Sequence, residues 1–184
     1  MTSILRETCM HGLGEQSDKD LAALALRGEE QSFAILAERY RAKAIRVAYG
    51  ILHNRADAED AVQNAFIRVY RNLRKYRGSA KFSSWLYRIV VNESLRYLRA
   101  RHDTSDEVQP SVSVDIEQLM LVRKCLASLE DPYRTVLALR GIEELSYEEI
   151  AEILGVPVGT VRSRLHEGRR LFAECWKELT SDES

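Results

Sequence analysis

Residues that interrupt helices are scarce in this sequence. Its 184 residues include nine glycines and three prolines, a composition that disfavours a turn-rich β fold. The sequence also lacks an apolar run long enough to span a bilayer, and its N-terminal stretch has no signal-peptide core. We therefore expect a helical protein that works in the cytoplasm.

Cysteine is equally scarce, and its spacing argues against the common zinc motifs. Cys9, Cys125 and Cys175 stand far apart, and no CxxC or CxxH pair occurs. His11 lies close to Cys9, but two ligands near a chain end are a weak metal signal. A glycine-rich phosphate loop and a nucleophile elbow are missing too. We expect no metal, no cofactor and no catalytic residues, and unpaired thiols fit a reducing cytoplasm.

Charge is small in total but unevenly distributed. The net charge is -1, yet the stretch 68–101 contains one acidic residue, Glu93, among many lysines and arginines. The stretch 103–131 is acidic apart from Arg123 and Lys124. A basic surface on a nearly neutral protein indicates a polyanionic partner at one place, although a solvated helix face gives the same pattern.

Apolar residues recur at three-to-four spacing in two separate parts of the chain, which predicts two helical clusters. The stretch between them is polar, contains Pro110 and has no apolar stripe, so it predicts a flexible linker. The predicted fold is all-α, with two small helical domains joined by that linker. The predicted division is a flexible leader at 1–16, a first domain at 17–101, the linker at 102–115 and a second domain at 116–180.

Capping residues predict several helix boundaries. Ser17 with Asp20, and Ser146 with Glu149, are capping-box-like helix starts. Further boundaries are predicted at positions that suit helix ends: an end at Gly28, an end at 53–55, a cap at Asp57, a start at Ser83 or Ser84, and a start at Pro132.

The stretch "LSYEEIAEILGVPVGTVRSRL" (145–165) predicts a helix-turn-helix unit. Ala151 permits close helix approach, Gly155 permits the turn, and Pro157 suits the first turn of the next helix. Val161 and Leu165 then face inward, which leaves the polar side chains for DNA. An ordinary helical hairpin with a charged surface is the alternative, but the combination of turn, small alanine and Thr/Arg/Ser cluster favours a DNA-reading unit.

Two long motifs resemble one known family. The runs "ADAEDAVQNAF" (56–66) and "FSSWLYRIVVN" (82–92) resemble region 2 of the bacterial extracytoplasmic-function (ECF, group 4) sigma factors of the sigma-70 family. The runs "LSYEEIA" and "PVGTVRSRL" resemble region 4, and the stretch 126–145 resembles the segment that precedes region 4. The resemblance covers roughly residues 17–179. It implies a transcription initiation factor that binds core RNA polymerase and promoter DNA and has no enzymatic activity of its own.

The resemblance also implies roles for individual residues. Region 2 is expected to dock on the clamp helices of the largest polymerase subunit through Asp60, Gln63, Asn64 and Arg68. The family's minus-ten element is melted and one base is captured, which costs a few kcal/mol of unstacking. The residues implied in that capture are Tyr76, Arg77, Gly78, Lys81, Phe82, Ser83, Arg88, Asn92 and Arg96. Tyr76, Phe82 and Trp85 are candidates for base stacking, but core packing is the favoured explanation for the last two.

Region 4 is expected near the β-subunit flap, where it reads the minus-thirty-five element as duplex. The residues implied are Thr160, Arg162, Ser163, Arg164, His166, Glu167 and Arg169. Glu167 departs from the family, which often has a basic residue there. Glu can accept from cytosine N4 but repels phosphate. Gly168 within a helix costs about 1 kcal/mol relative to alanine, and the sequence gives no reason for it.

The resemblance implies further partners. A regulating anti-sigma factor is expected, one that is often membrane-bound and that would bring this protein to the membrane, and the chain is expected to be a monomer within the holoenzyme. A stand-alone dimeric helix-turn-helix regulator is the alternative. That alternative predicts tight binding to a palindrome without polymerase, but the first domain has no heptad seam for a dimer.

Overall fold

The chain is helical throughout the part that its computed structural model describes, residues 16–78, 80–102 and 116–181. No helix among those residues is long and apolar enough to cross a membrane. The all-α prediction is confirmed, whereas most of the predicted leader and linker lie outside the described residues. The helices are α1 (Asp18–Leu26), α2 (Glu30–Leu52), α3 (Arg55–Asn72), α4 (Phe82–His102), α5 (Ile116–Ser128), α6 (Asp131–Glu143), α7 (Tyr147–Leu154) and α8 (Val158–Ser181), with a 3-10 turn at Leu73–Lys75.

Helices α1 to α4 form the first domain, and their apolar stripes pack together in its core. Helix α2 packs against both α3 and α4, and α3 also packs against α4. Leu36, Val47, Ala65 and Leu86 are among the fully buried side chains at these contacts. At the start of α1, the Ser17 hydroxyl accepts a hydrogen bond from the Asp20 backbone N–H at 3.2 Å, as the sequence predicted.

Two predicted boundaries shift by one to three residues. Asn54, not Asp57, caps α3, because the Asn54 side chain accepts from the Asp57 backbone N–H at 3.1 Å. Asp57 therefore lies inside the first turn. Helix α4 begins at Phe82, just before Ser83. Shifts of this size are usual for helix ends predicted from sequence, which are uncertain by a few residues. The start of α8 agrees with the prediction: Pro157 directly precedes Val158, and its carbonyl accepts the N–H of Thr160 at 2.9 Å.

The second domain comprises α5 to α8. Helix α6 packs against α8, and α7 and α5 also pack against α8. Arg134 of α6 is buried, and its guanidinium donates to the carbonyls of Leu126 and Ala127 at 3.1 and 2.9 Å. These carbonyls end α5 and have no partner within the helix. Arg134 therefore satisfies the C-terminal end of α5.

The two domains pack directly on one another. Helix α2 contacts α6, and α4 contacts α7. The Glu143 carboxylate lies 2.7 Å from Arg46 of α2 and accepts from the Tyr87 hydroxyl of α4 at 3.3 Å. Buried apolar residues of both domains belong to one continuous cluster. The residues that are predicted to bind DNA in the two domains therefore lie close together.

Candidate nucleic-acid interface

The helix-turn-helix is built by α7 and α8. Ser146 caps α7 reciprocally with Glu149, since the Glu149 N–H reaches the Ser146 hydroxyl at 3.2 Å and the Ser146 N–H reaches the Glu149 carboxylate at 3.0 Å. Gly155 has φ +66°, a left-handed conformation that turns the chain after α7. Val161 and Leu165 are buried. The predicted unit is confirmed in its caps, turn and inward residues.

The outward face of α8 carries most of the predicted DNA-reading residues. Arg162, Ser163, His166 and Arg169 are exposed, and Thr160 and Glu167 are partly exposed. The Ser163 hydroxyl donates to the Thr160 carbonyl at 3.0 Å. Arg164 is less exposed and lines a cleft between the two domains. The face therefore presents cations and hydroxyls, the groups that bind phosphates and base edges.

Glu167 belongs to an ion-pair network that sequence reasoning missed. Arg170 donates to the Glu167 carboxylate at 2.6 and 3.0 Å and also pairs with Glu174. Hydrogen bonds from Arg170 hold the pKa of Glu167 below its usual value. The signal was present in the sequence, because residues three and four apart share one helix face. Arg170 joins the candidate set as the partner of the unusual acid.

Gly168 is explained by close helix packing. It is buried, and a Cβ atom at this position would lie 3.2 Å from Cδ1 of Leu137 and 3.3 Å from Cβ of Tyr133. Both neighbours belong to α6. A side chain at 168 would therefore push apart the two helices that set the orientation of the recognition face.

The loop before α4 holds an aromatic cluster. The Tyr76 ring lies 5.5 Å from the Phe82 ring and 5.4 Å from the Trp85 ring, between centroids. The Tyr76 hydroxyl donates to the Ala80 carbonyl at 3.0 Å, and Gly78 has φ +69°. Burial, followed by the charge of Asp18, raises the pKa of Tyr76. The cluster fixes the loop on the domain surface.

Phe82 packs in the core, as the favoured explanation predicted, and this argues against its place among the minus-ten candidates. It is only 2% exposed, and its ring packs against Tyr40 as well as Tyr76. A buried ring has no face left for a base, so Phe82 supports the loop rather than contacting DNA. Trp85 is partly buried against the same core. Tyr76 is partly exposed and remains a stacking candidate.

Two basic side chains that are predicted to bind DNA, Lys81 and Arg88, contact α7. Lys81 Nζ lies 2.8 Å from the Glu149 carboxylate, and this hydrogen bond is the main reason that the pKa of Glu149 is lowered. The Arg88 guanidinium donates to the Ile153 carbonyl at 3.2 Å and also to the Glu152 carbonyl. These carbonyls end α7, where partial negative charge attracts cations. The first domain thus binds the helix-turn-helix through its own candidate DNA contacts.

The remaining minus-ten candidates are arranged around this contact. Arg77 and Asn92 are exposed, and Gly78 and Ser83 are partly buried. Arg96 pairs with the buried Glu93 at 2.7 Å. Asn92 lines the cleft of about 500 Å³ between the domains, together with Arg88, Arg99, Pro132 and Arg164.

The four polymerase-facing candidates divide into two pairs. Asp60 and Gln63 are exposed and line a groove of about 980 Å³ between α2 and α3. Asn64 instead donates to the Tyr97 hydroxyl at 3.0 Å, and Arg68 pairs with Glu93 at 2.7 Å. These two contacts tie α3 to α4.

The groove also has an exposed apolar wall that sequence reasoning missed. Ile67 and Tyr70 are 42% and 49% exposed, and the Tyr70 ring lies 4.9 Å from the Phe33 ring. Large exposed apolar side chains grouped together indicate a protein-binding surface. Helical periodicity does not identify these two residues, because their positions on α3 flank the buried stripe.

Comparison with known proteins gives the family. Residues 36–104 match Sigma-70 region 2, and residues 119–172 match Sigma-70, region 4. The chain belongs to the ECF sigma factors. It is 34% identical to the ECF RNA polymerase sigma factor SigW of Bacillus subtilis (strain 168), over 83% of this chain and 93% of SigW. It is 35% identical to the ECF RNA polymerase sigma-E factor of Escherichia coli (strain K12), over 83% of this chain and 91% of that protein.

Solved structures share the fold of this chain. CnrH, determined in complex with the cytosolic domain of CnrY, superposes with a TM-score of 0.72 at 25% identity, over 92% of this chain and all of CnrH. The sigma factor RpoE of Bartonella quintana, determined with the anti-sigma factor NepR, has the same fold. Its TM-score is 0.66 at 23% identity, over 80% of this chain and 98% of RpoE. This ECF sigma factor therefore shares its overall architecture with both.

Proposed function

We propose that this sigma factor joins core RNA polymerase as a monomer, directs it to a bipartite promoter and has no catalytic activity of its own. One observation carries the proposal: a helix-turn-helix with an exposed cationic face and a separate basic domain with an aromatic loop occur in one chain. The first surface suits duplex DNA. The second suits single-stranded DNA, which binds through cations and stacked rings.

The minus-thirty-five element is read by the outward face of α8. Arg162 is exposed in the second turn of α8, near the helix N-terminus that enters the major groove in this type of unit. Arg can bind guanine bidentately, and Ser163 and His166 lie on the same side. Thr160, Arg164 and Arg169 bind phosphates or the β flap. Arg170 pairs with Glu167, so the repulsion of phosphate by this carboxylate is reduced.

The minus-ten element is captured by the loop 76–83 and the adjacent face of α4. Asn92 is exposed and its amide offers donors and an acceptor to a flipped base. Tyr76 and Arg77 provide stacking and phosphate contacts. Lys81 and Arg88 bind α7 in the described arrangement, so they reach DNA only after the domains separate. Arg96 is already neutralised in part by Glu93.

The polymerase clamp helices bind the groove between α2 and α3. Asp60 and Gln63 supply polar contacts, and Ile67 and Tyr70 supply the apolar area that a stable protein contact needs. Asn64 and Arg68 act indirectly, because their contacts with α4 fix the angle of α3.

An anti-sigma factor is proposed as the regulating partner. CnrH and RpoE were both determined with a protein partner, the cytosolic domain of CnrY and the anti-sigma factor NepR respectively. In this chain the cleft between the domains combines Arg88, Arg99 and Arg164 with apolar side chains. Those features suit an acidic amphipathic helix. The sigma factor would act in the bacterial cytoplasm and be drawn to the membrane when its partner is anchored there.

Run-off transcription with bacterial core polymerase on a pool of promoter fragments tests the proposal. We expect start sites that appear only with this protein. Asn92→Ala and Arg162→Ala should reduce them, and loss of one bidentate base contact costs about 1–3 kcal/mol. Lys177→Ala, an exposed cation at the far end of α8, and Gln31→Ala, an exposed amide on α2, are matched controls that should keep full activity.

The competing function makes the opposite prediction. A dimeric regulator would bind a palindromic duplex tightly without polymerase and would add no start sites to core polymerase. That pair of results, in protein shown to be folded by circular dichroism, would replace the sigma proposal.

A further inference from the structure

Glu93 is the single acidic residue in the basic stretch 68–101, and the structure buries it. It lies in α4 and is 1% exposed. One oxygen of its carboxylate lies 2.7 Å from Nε of Arg68 on α3, and the other lies 2.7 Å from Nη2 of Arg96, one turn further along α4. A buried carboxylate is costly unless charged partners compensate it. Here each of its two oxygens has an arginine as its partner.

The two arginines remain accessible although their shared partner is not. The side chains of Arg68 and Arg96 are 53% and 56% exposed. A guanidinium carries several N–H donors in one rigid plane. A carboxylate that engages one edge of this plane sets its orientation and leaves the other donors for a second ligand. Glu93 therefore fixes the direction in which each guanidinium points without covering it.

Arg96 is the arginine that lies beside the predicted base-capturing residue. Asn92 and Arg96 are four residues apart on α4, and both are exposed, so they share one face of the helix. A cation next to a captured base is well placed for the phosphates of the same strand. Arg68 reaches Glu93 from the other helix, α3. Arg96 is therefore the member of the cluster that is placed at the DNA, and Arg68 holds Glu93 from behind.

We propose that Glu93 is a positioning residue for the minus-ten step: its carboxylate, held by Arg68, orients Arg96 toward the DNA backbone next to the base at Asn92. This role rests on the proposed function, because it requires the α4 face to bind the melted strand. Without the acid, the face gains one net positive charge while Arg96 loses its fixed direction. Loss of Glu93 should therefore not weaken attraction to arbitrary DNA, but it should weaken capture of the melted promoter.

Open-complex formation by the holoenzyme tests this role. Glu93→Gln, Arg96→Ala and the double variant are each combined with saturating core polymerase on a promoter that run-off transcription has identified. Permanganate reactivity then measures the unpaired thymines of the minus-ten element. We expect each single variant to lower this reactivity roughly tenfold, the equivalent of one charge-assisted hydrogen bond. The double variant should be no worse than Arg96→Ala, because Glu93 acts through Arg96.

Two further measurements separate a positioning role from a structural one. Glu93→Gln should bind core polymerase with the affinity of the wild type. The free Glu93→Gln chain should bind a duplex of arbitrary sequence at least as tightly as the wild type, since its basic face has lost an acid. Glu178→Gln, which removes an exposed carboxylate of α8, is the matched control and should equal the wild type in all three measurements.

The proposal is overturned if Glu93→Gln leaves melting unchanged, or if its defect persists undiminished in the Arg96→Ala background. It is also overturned if Glu93→Gln weakens core binding or arbitrary-duplex binding as much as melting, because Glu93 would then serve only the packing of α3 on α4. In these cases the wild type still opens the promoter and the proposed function stands. A wild type that opens no promoter with core polymerase would overturn both.

Discussion

At the scale of single residues, Gly168 shows how packing overrides helix propensity. Replacing it with alanine gains up to about 1 kcal/mol of propensity. The new Cβ, however, meets Cβ of Tyr133 at 3.3 Å, and that atom is fixed to the backbone of α6. Overpacking of this kind costs roughly 1–3 kcal/mol. We therefore expect Gly168→Ala to lower the free energy of unfolding by about 1 kcal/mol in urea titration.

Gly141 provides the matched control for this prediction. It lies in α6, and a Cβ at position 141 would meet no atom within 4 Å. Gly141→Ala should therefore raise the free energy of unfolding, by up to about 1 kcal/mol. If both variants are stabilised alike, the close contact of α8 with α6 is not what requires Gly168.

Some residue roles in the site could be predicted from the sequence, and others could not. The cationic face of α8 was predictable, because Arg162 and His166 follow from the positions of the buried Val161 and Leu165. The role of Gly168 was not, since it depends on a neighbour from another helix. Phe82 was ambiguous for a similar reason: a ring at a helix start stacks on DNA or fills a core depending on tertiary contacts.

At the scale of elements, the sequence offers two residues, Asn54 and Asp57, as the N-cap of α3, and the structure shows that Asn54 is the cap. Asn54 accepts from the Asp57 N–H at 3.1 Å, while His53 ends α2 with φ +53°. Loss of a side-chain cap costs about 1 kcal/mol. Asn54→Ala should therefore lower the free energy of unfolding by about that amount in urea titration. Asn54→Asp keeps an acceptor and should restore most of it, whereas equal losses in the two variants would rule out the cap.

Helices themselves were largely predictable from periodicity. The stripe of α2 and the capping box of α7 each gave an element close to its observed bounds, because burial on one face and satisfaction of end N–H groups are local requirements. Boundaries shifted where two polar residues compete for one cap, as at Asn54 and Asp57. The exposed apolar wall at Ile67 and Tyr70 escaped prediction, since periodicity identifies what is buried and not what a partner will cover.

At the scale of the whole molecule, the packing of the two domains could not be predicted from the sequence. The contacts of Glu143 with Arg46 and Tyr87 join residues far apart in the chain, and helical periodicity does not indicate which faces of two domains meet. Burial, and then the charge of Glu143, raises the pKa of Tyr87, so this hydroxyl remains a donor at neutral pH. The arrangement has a functional consequence, because it occupies Lys81 and Arg88.

The Lys81–Glu149 contact makes this arrangement measurable in solution. The two charged groups lie 2.8 Å apart, so a zero-length carbodiimide should join them as an amide in the free protein. Trypsin should then release a linked pair of peptides, 78–88 and 141–162. Lys81→Arg keeps the charge but supplies no amine, and should give no such product.

Core polymerase should abolish this cross-link, because engagement of both promoter-reading surfaces requires Lys81 and Arg88 to leave α7. Salt alone should reduce it only modestly. An ion pair of an exposed lysine contributes little to stability, whereas the contacts of Arg88 with the α7 carbonyls and the shared apolar core persist. A cross-link that survives in the transcribing complex would mean that Lys81 does not contact promoter DNA. Its absence from the free protein would mean that the domains are already apart before polymerase binds.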